Sequence, residues 1–135
     1  MSQENVEIVR RLNAEFNAGN WDAAFALFHP EVEFRDLRPA PDLPEVVRGI
    51  DALALVLRNW AGAYDGLGVV AYEYIDADPW VVVDACWHGE GKGSAVPLVD
   101  PRQADACKVE DGKIVALVVA YPDVPAALEA LEPEK

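Results

Sequence analysis

Asp36 is the first side chain whose type and position could support chemistry. It ends a predicted β-strand that begins at Val32, and it shares one strand face with Val32 and Phe34. Apolar surroundings disfavour the charged form of a carboxylate, and the raised proton affinity that results suits a general base. The alternative is a strand-end acid that pairs with Arg35, Arg38 or a backbone amide.

Asp105 is the second carboxylate of this kind, because it shares a predicted strand face with Gln103, Cys107 and Val109. General acid–base catalysis by two carboxyl groups requires that both reach one substrate and that their pKa values differ. If the protein is an acid–base enzyme, we therefore expect Asp36 and Asp105 to project into one cavity. The alternative for Asp105 is a solvated acid on an edge strand.

His88 is the only histidine in the predicted sheet. One face of its strand carries Trp80, Val82, Asp84, Cys86 and His88, and the opposite face is wholly apolar, with Val81, Val83, Ala85 and Trp87. Alternation alone does not decide which face lines a pocket. If the polar face is internal, Asp84 and His88 form an acid–base pair along the strand; the favoured alternative is a surface or interface histidine.

The two cysteines, Cys86 and Cys107, lie in predicted strands. The sequence has neither a Cys-x-x-Cys pair nor a His/Cys cluster with zinc spacing, so both are interpreted as strand thiols, with a disulfide or a reactive thiol as the alternative. Residues 89–93 are glycine-rich but do not match a phosphate-binding loop. We expect no metal and no cofactor.

Composition excludes several classes of partner. The chain has 135 residues, a formal net charge of −13 and 52% hydrophobic residues, which favours one folded domain over disorder. The acidic balance disfavours nucleic acid and anionic membranes as partners. No signal peptide is recognisable, and the longest apolar run, 114–121, is too short to span a membrane. A cytoplasmic location is the expectation.

The first third of the chain is predicted to be helical. Apolar residues recur every three or four positions over 6–16, which predicts an amphipathic helix that Ser2 caps and Gly19 ends. Asn20 is expected to cap a second, shorter helix that ends at His29-Pro30, because the residue before proline disfavours helical geometry.

A third helix is predicted from about Asp51, with Gly66 and Gly68 closing it. Its apolar stripe is Ile50, Leu53, Leu57, Trp60 and Tyr64. The proline-rich loop 39–44 precedes this helix, and we expect it to form a stiff rim beside the pocket mouth.

The remaining elements are predicted to form a sheet. Asp111-Gly112 between two apolar runs is a strong hairpin signal, and Asp123 is expected to cap a final helix that runs to Leu131. Grouped helices followed by grouped strands favour an α+β fold with an antiparallel sheet. The predicted strands are 32–37, 69–75, 80–88, 103–109 and 113–121.

Several segments resemble SnoaL-like proteins of the nuclear transport factor 2-like superfamily: 17–21, 27–36, 48–53, 110–115 and 126–130. The resemblance spans nearly the whole chain and implies a single SnoaL-like domain over 1–135. It implies a cone-shaped, curved, mixed and mainly antiparallel sheet wrapped around the N-terminal helices, a cystatin-like α+β barrel with one deep pocket. The family includes ketosteroid isomerases, polyketide cyclases, an epoxide hydrolase, dehydratases, ligand binders and association modules, so the fold does not select a function.

The resemblance also implies roles for particular residues. Ketosteroid isomerases carry their general base where this chain has Asp36, and a protonated acid that stabilises the oxyanion where it has Asp105. Their tyrosine donor is replaced by Leu12, which argues against steroid isomerisation. The Arg-x-Asp of the epoxide hydrolase is absent, because Arg102 and Asp105 are three residues apart. Nor does 114–120 offer the ionisable side chain that polyketide cyclases use on the last strand.

Three functions follow, in order of preference. The first is a metal-free acid–base isomerase, cyclase or hydrolase that acts on an apolar carbonyl-type small molecule. The second is a non-catalytic small-molecule binder, and the third is a dimerising module with a vestigial pocket. A homodimer is expected because strand 114–121 is apolar on both faces. The expected ligand-binding residues are Leu12, Phe16, Phe34, Trp60, Tyr64, Trp87, His88 and Cys107, of which the aromatic ones also suit a core.

Overall fold

The computed structural model describes residues 3–37, 46–91, 97–99 and 102–131. Within these residues it contains four helices and seven strands. The helices are α1 (Gln3–Ala18), α2 (Trp21–Phe25), α3 (Ile50–Ala63) and α4 (Val124–Ala130). The strands are β1 (Phe28–Asp36), β2 (Val47–Arg48), β3 (Tyr64–Ala77), β4 (Trp80–Gly91), β5 (Pro97–Val99), β6 (Gln103–Glu110) and β7 (Lys113–Tyr121).

The strands form one curved, unclosed sheet in the order β2-β1-β7-β6-β4-β3, with β5 paired to β4. The β1–β7 pair is parallel and the other pairs are antiparallel, so the sheet is mixed. This confirms the α+β class. It also brings β1 and β6, which carry the two aspartates, to either side of β7.

The inner face of the sheet holds the main core, against α1 and α3. The predicted stripe of α1 is buried in full: Val6, Val9, Leu12 and Phe16. On β4 the apolar face turns inward, since Val81, Val83 and Ala85 are buried in this core. The sequence pattern did not say which face of β4 is internal, and the structure shows that it is the apolar face.

The outer face of the sheet is partly covered by α4. Asp123 accepts a hydrogen bond from the backbone N–H of Ala126 at 2.8 Å, which confirms the predicted cap. Behind this cap, Ala127 packs in a second buried cluster with Val82, Ala104 and Ala106. Part of the apolar surface on the outer face of the sheet is therefore buried within the chain.

The second helix begins directly after Asn20, as predicted, but the predicted side-chain cap and the predicted end are wrong. Asn20 makes no side-chain cap, and its amide donates instead to Glu15 Oε1 at 3.3 Å. The helix ends at Phe25, and His29-Pro30 lie inside β1. Pairing of β1 with β7 is interrupted between Phe28 and Glu33, so the missing N–H of proline breaks no regular ladder there. Gly19 does adopt the predicted left-handed conformation, with φ +78°, whereas Ser2 lies outside the described residues.

Other boundaries also differ from the sequence prediction. Tyr64 is extended and begins β3, so Gly66 and Gly68 belong to a strand and do not close a helix. The glycines at 89 and 91 continue β4. Two short strands, β2 and β5, were not predicted. The hairpin is confirmed, with φ +51° at Asp111 and +77° at Gly112, whereas loop 39–44 lies outside the described residues.

Candidate functional site

A small cavity lies between α1 and the inner face of the sheet. Its volume is about 40 Å³, which exceeds the roughly 10–15 Å³ that one water requires but is far below the roughly 300–1,000 Å³ of drug-sized sites. Asn13 and Asp105 are the lining residues whose side chains contain oxygen atoms. The rest of the lining is apolar apart from the thiol of Cys107, and it includes Leu12, Phe16, Phe28, Trp87, Leu117 and Val119.

Asp105 is the buried carboxylate of this cavity, with 7% of its surface exposed. Its Oδ1 accepts from Gln103 Nε2 at 2.9 Å and from the backbone N–H of Ala120 at 3.0 Å. Its Oδ2 accepts from Trp87 Nε1 at 3.0 Å. Three N–H donors thus fix the position and orientation of the carboxylate.

A β-bulge places one of these donors. Ala104 pairs with Tyr121 and Ala106 with Val118, so Asp105 faces two residues of β7. The extra residue, Ala120, has φ +75°, a left-handed conformation that is uncommon for a residue with a side chain. Its N–H points at the carboxylate, so the bulge and Asp105 hold each other in place.

Cys107 lines the same cavity two residues further along β6 and is a free thiol, as predicted. Burial, and secondarily the negative charge of Asp105, raise the pKa of this thiol well above its ordinary value. It therefore stays protonated at neutral pH and acts as an apolar wall group. Leu12 also lines this cavity. It stands where the resemblance places the tyrosine donor of ketosteroid isomerases.

Asp36 lies on the same inner face as Asp105. It is half-buried and directly opposite Val119 on β7, which in turn faces Asp105 across the bulge. Two strand spacings of about 4.8 Å put the Cα atoms of the two aspartates about 10 Å apart. The fold therefore brings both acids into one row of the inner face, but Asp36 is not part of the cavity lining.

Seven of the eight predicted ligand-binding residues divide into three groups. Leu12, Phe16, Trp87 and Cys107 line the cavity. Trp60 and Phe34 stand behind it in a chain of edge-to-face rings, since Trp87 and Trp60, and then Trp60 and Phe34, have centroids 5.9 Å apart. Tyr64 lies outside the lining at the start of β3.

His88 is exposed and belongs to the outer-facing set of β4. Its imidazole lies against Gly68, where an added Cβ would come within 2.9 Å of the ring. Asp84 forms two hydrogen bonds with Arg102, at 2.9 and 2.8 Å, and these raise the pKa of Arg102. The conditional pairing of Asp84 with His88 inside the pocket is therefore excluded, because their strand face points outward.

Two site residues were not recognised from the sequence. Asn13 lines the cavity and its Nδ2 donates to Tyr74 Oη at 2.9 Å. The sequence feature that could have identified Asn13 is its position next to Leu12, at the border of the apolar stripe of α1. Gln103 is 6% exposed and holds Asp105; its place two residues before Asp105 on one strand predicted the shared face but not the contact.

A second and larger concavity lies on the outer face of β1, β7 and β6. This outer groove has a volume of about 890 Å³. Its apolar lining is Trp80, Val115, Ala116 and Val118, and its charged lining carries both signs, including Glu33, Arg35, Arg48, Lys108, Glu110 and Lys113. Arg48 contacts Glu33 at 2.8 Å and Lys108 contacts Glu110 at 3.3 Å.

The described part of the chain shows neither a metal-binding cluster of three His, Cys, Asp or Glu side chains nor a helix with the length and apolar character needed to span a membrane. The cytoplasmic location stays a prediction.

Comparison with known proteins gives a family and a fold. Residues 9–117 match the family model of the SnoaL-like domain. A search of curated proteins finds no significant match.

Three solved structures illustrate the structural similarity. A Catenulispora acidiphila protein with a ketosteroid isomerase-like fold, in complex with trimethylamine, has a TM-score of 0.72 and 19% identity, over 85% of this chain and 85% of that one. A Mycobacterium tuberculosis protein in complex with estradiol-17β-hemisuccinate has a TM-score of 0.74 and 15% identity, over 85% and 91%. TerC, co-crystallised with polyporic acid, has a TM-score of 0.74 and 17% identity, over 95% and 97%.

Proposed function

Because this chain belongs to the family of SnoaL-like domains, we propose that it binds a small molecule in its interior cavity, with Asp105 as the polar anchor. The observation that carries the proposal is a carboxylate only 7% exposed, oriented by three N–H donors in the wall of a mainly apolar cavity. Pockets that bind small molecules combine apolar walls with a few fixed polar groups in this way.

The cavity volume limits the ligand. About 40 Å³ admits a few heavy atoms, and the neighbour crystallised with trimethylamine supports a ligand of that size. The neighbours crystallised with estradiol-17β-hemisuccinate and polyporic acid support the view that the same fold can open its pocket to a larger ligand. A larger ligand in this chain requires the rings of Phe16 and Trp87 to move.

Native mass spectrometry of the purified protein, followed by a small-molecule screen, tests the proposal. The indole N–H resonance of Trp87 reports on the site because this group donates directly to Asp105. Asp105→Asn should weaken ligand binding at least tenfold. Asp84→Asn is the matched control, since Asp84 lies on the outer face of the sheet, and it should bind as the wild type does. Equal binding by both variants would contradict the proposal.

A second candidate is an acid–base enzyme in which Asp36 moves a proton and Asp105, in its protonated form, donates a hydrogen bond to the developing negative charge. The observation that favours it is the shared row on the inner face, with Val119 between the two acids. A substrate that spans about 10 Å, or a displaced Val119, is needed to engage both carboxylates. Isomerisation of a bicyclic β,γ-unsaturated ketone, which is longer than a single ring, to its conjugated isomer is a direct assay that can be followed by ultraviolet absorption. Asp36→Asn should abolish this turnover and leave binding intact.

The partner we propose for the outer groove is a second copy of this chain. An apolar centre with a charged rim is the usual anatomy of a protein interface. The rim carries both signs, so a two-fold axis can place Glu33 of one copy near a basic residue of the other. Val115→Asp should convert a dimer into a monomer in sedimentation experiments, whereas Leu55→Asp, on the exposed face of α3, should not. A wild-type monomer at micromolar concentration would overturn this.

A further inference from the structure

We propose that the ligand of the interior cavity is a small alkylammonium cation. This inference rests on the proposed binding function and adds the chemical class of the ligand. It starts from Asn13 and Asp105, the two residues of the cavity lining whose side chains contain oxygen atoms. Both present hydrogen-bond acceptors, so the complementary ligand is a donor.

Asn13 is oriented by its neighbour on β3. Its Nδ2 donates to Tyr74 Oη at 2.9 Å, which directs the amide nitrogen toward the tyrosine and leaves the carbonyl Oδ1 as the acceptor. The ring of Tyr74 lies 4.6 Å from the guanidinium carbon of Arg10, and this contact fixes the tyrosine in turn. A ligand N–H or O–H group is the natural partner of this carbonyl.

Asp105 adds charge to the acceptor pattern. N–H groups that donate to a carboxylate favour its ionised form, and Asp105 accepts three of them. An ionised carboxylate is an acceptor only, and its hydrogen bond to an ammonium group is charge-assisted and about twice as strong as a neutral one. A cationic donor therefore gains more at this position than a neutral one.

The surroundings favour a cation that carries alkyl groups. Leu12, Leu117 and Val119 offer aliphatic walls, and the rings of Phe16 and Trp87 add cation–π attraction for a positive charge within about 6 Å. The net charge of −13 raises the local concentration of cations and lowers that of anions. The cavity of about 40 Å³ restricts the alkyl part to a few carbons.

Three probes of equal chain length separate charge from shape: butylammonium, butanol and butyrate. Each is titrated at constant ionic strength while the Trp87 indole N–H resonance is followed. Butylammonium should bind at least tenfold more tightly than butanol, and butyrate should not bind over the same range. Asp105→Asn should remove the preference for the cation, so that butylammonium and butanol bind with similar affinity, and Asp84→Asn should keep the preference.

The outcomes distinguish the two proposals. If butanol or butyrate binds as well as butylammonium, the ligand class is wrong and the binding function stands. If no probe binds and native mass spectrometry finds no other ligand, both proposals fail. A preference that survives in Asp105→Asn reflects general attraction to an acidic surface and overturns the assignment to this site. The comparison of the three probes on the wild-type protein needs no variant to fold.

Discussion

Replacement of Gln103 by methionine tests the hydrogen-bond network around Asp105. The two side chains have nearly the same length, so the change removes the amide donor with little change in volume. Gln103 is 6% exposed, and its Nε2 donates to Asp105 Oδ1 at 2.9 Å. The variant leaves that oxygen with the backbone N–H of Ala120, while Trp87 still donates to the other oxygen.

The expected loss of stability follows from the charge of the acceptor. A hydrogen bond to a charged group contributes about 1.5–3 kcal/mol to the free energy of unfolding. The remaining donor from Ala120 places the loss near the lower end of that range, about 1.5 kcal/mol. For a chain of this length the midpoint of thermal unfolding should fall by roughly 5 °C.

A double-mutant cycle separates the contact from the effect of the substitution itself. Urea denaturation is measured for Gln103→Met, Asp105→Asn, the double variant and the wild type. We expect a coupling of at least about 1 kcal/mol, because residues in one hydrogen-bond network are not additive. Additivity within about 0.5 kcal/mol would refute the view that Gln103 stabilises the fold through Asp105.

Three further predictions concern other parts of the chain. Asp123→Ala should cost about 1 kcal/mol, because α4 loses its cap, and Asp123→Ser should retain most of the stability, as measured by urea denaturation. Gly112→Ala should destabilise the hairpin by about 1 kcal/mol, because φ is +77° there, whereas Gly62→Ala within α3 should stabilise by up to about 1 kcal/mol; equal effects in denaturation experiments would contradict the backbone explanation. The free energy of unfolding should fall above about pH 9, because the raised pKa of Cys107 keeps the folded thiol protonated while the unfolded thiol ionises. Cys107→Ala should flatten this pH dependence in urea titrations, and an unchanged slope would exclude Cys107 as its source.

Local sequence signals predicted much of the fold. The alternation on β4 separated the buried Val81, Val83 and Ala85 from the outward Asp84 and His88, although it did not say which set was internal. The Asp111-Gly112 turn and the Asp123 cap depend on a few adjacent residues, and both are confirmed. Signals of this kind are read correctly because no distant contact competes with them.

Features that depend on distant pairing were missed. Tyr64 continues the apolar stripe of α3 in sequence, yet it pairs with Gly91 of β4 and begins a strand. The bulge at Ala120 lies inside an apolar run without glycine, so nothing local marks its positive φ. The size of the cavity is equally non-local, since it depends on how the rings of Phe16, Trp60 and Trp87 pack.

The buried carboxylate admits a structural and a functional explanation, and these are physically separable. If Asp105 serves only to hold the Ala120 bulge, a fully hydrogen-bonded network accounts for it, as such networks specify a unique core. Replacing both partners of a buried polar pair by apolar groups is often nearly neutral, however, so stability alone gives little reason for a carboxylate at this position. A carboxylate in the wall of a cavity also attracts a cationic ligand. A neutral amide at the same position would attract that ligand less strongly. Asp105→Asn should therefore change both the free energy of unfolding and the affinity for cationic probes, whereas a purely structural Asp105 would change the first alone.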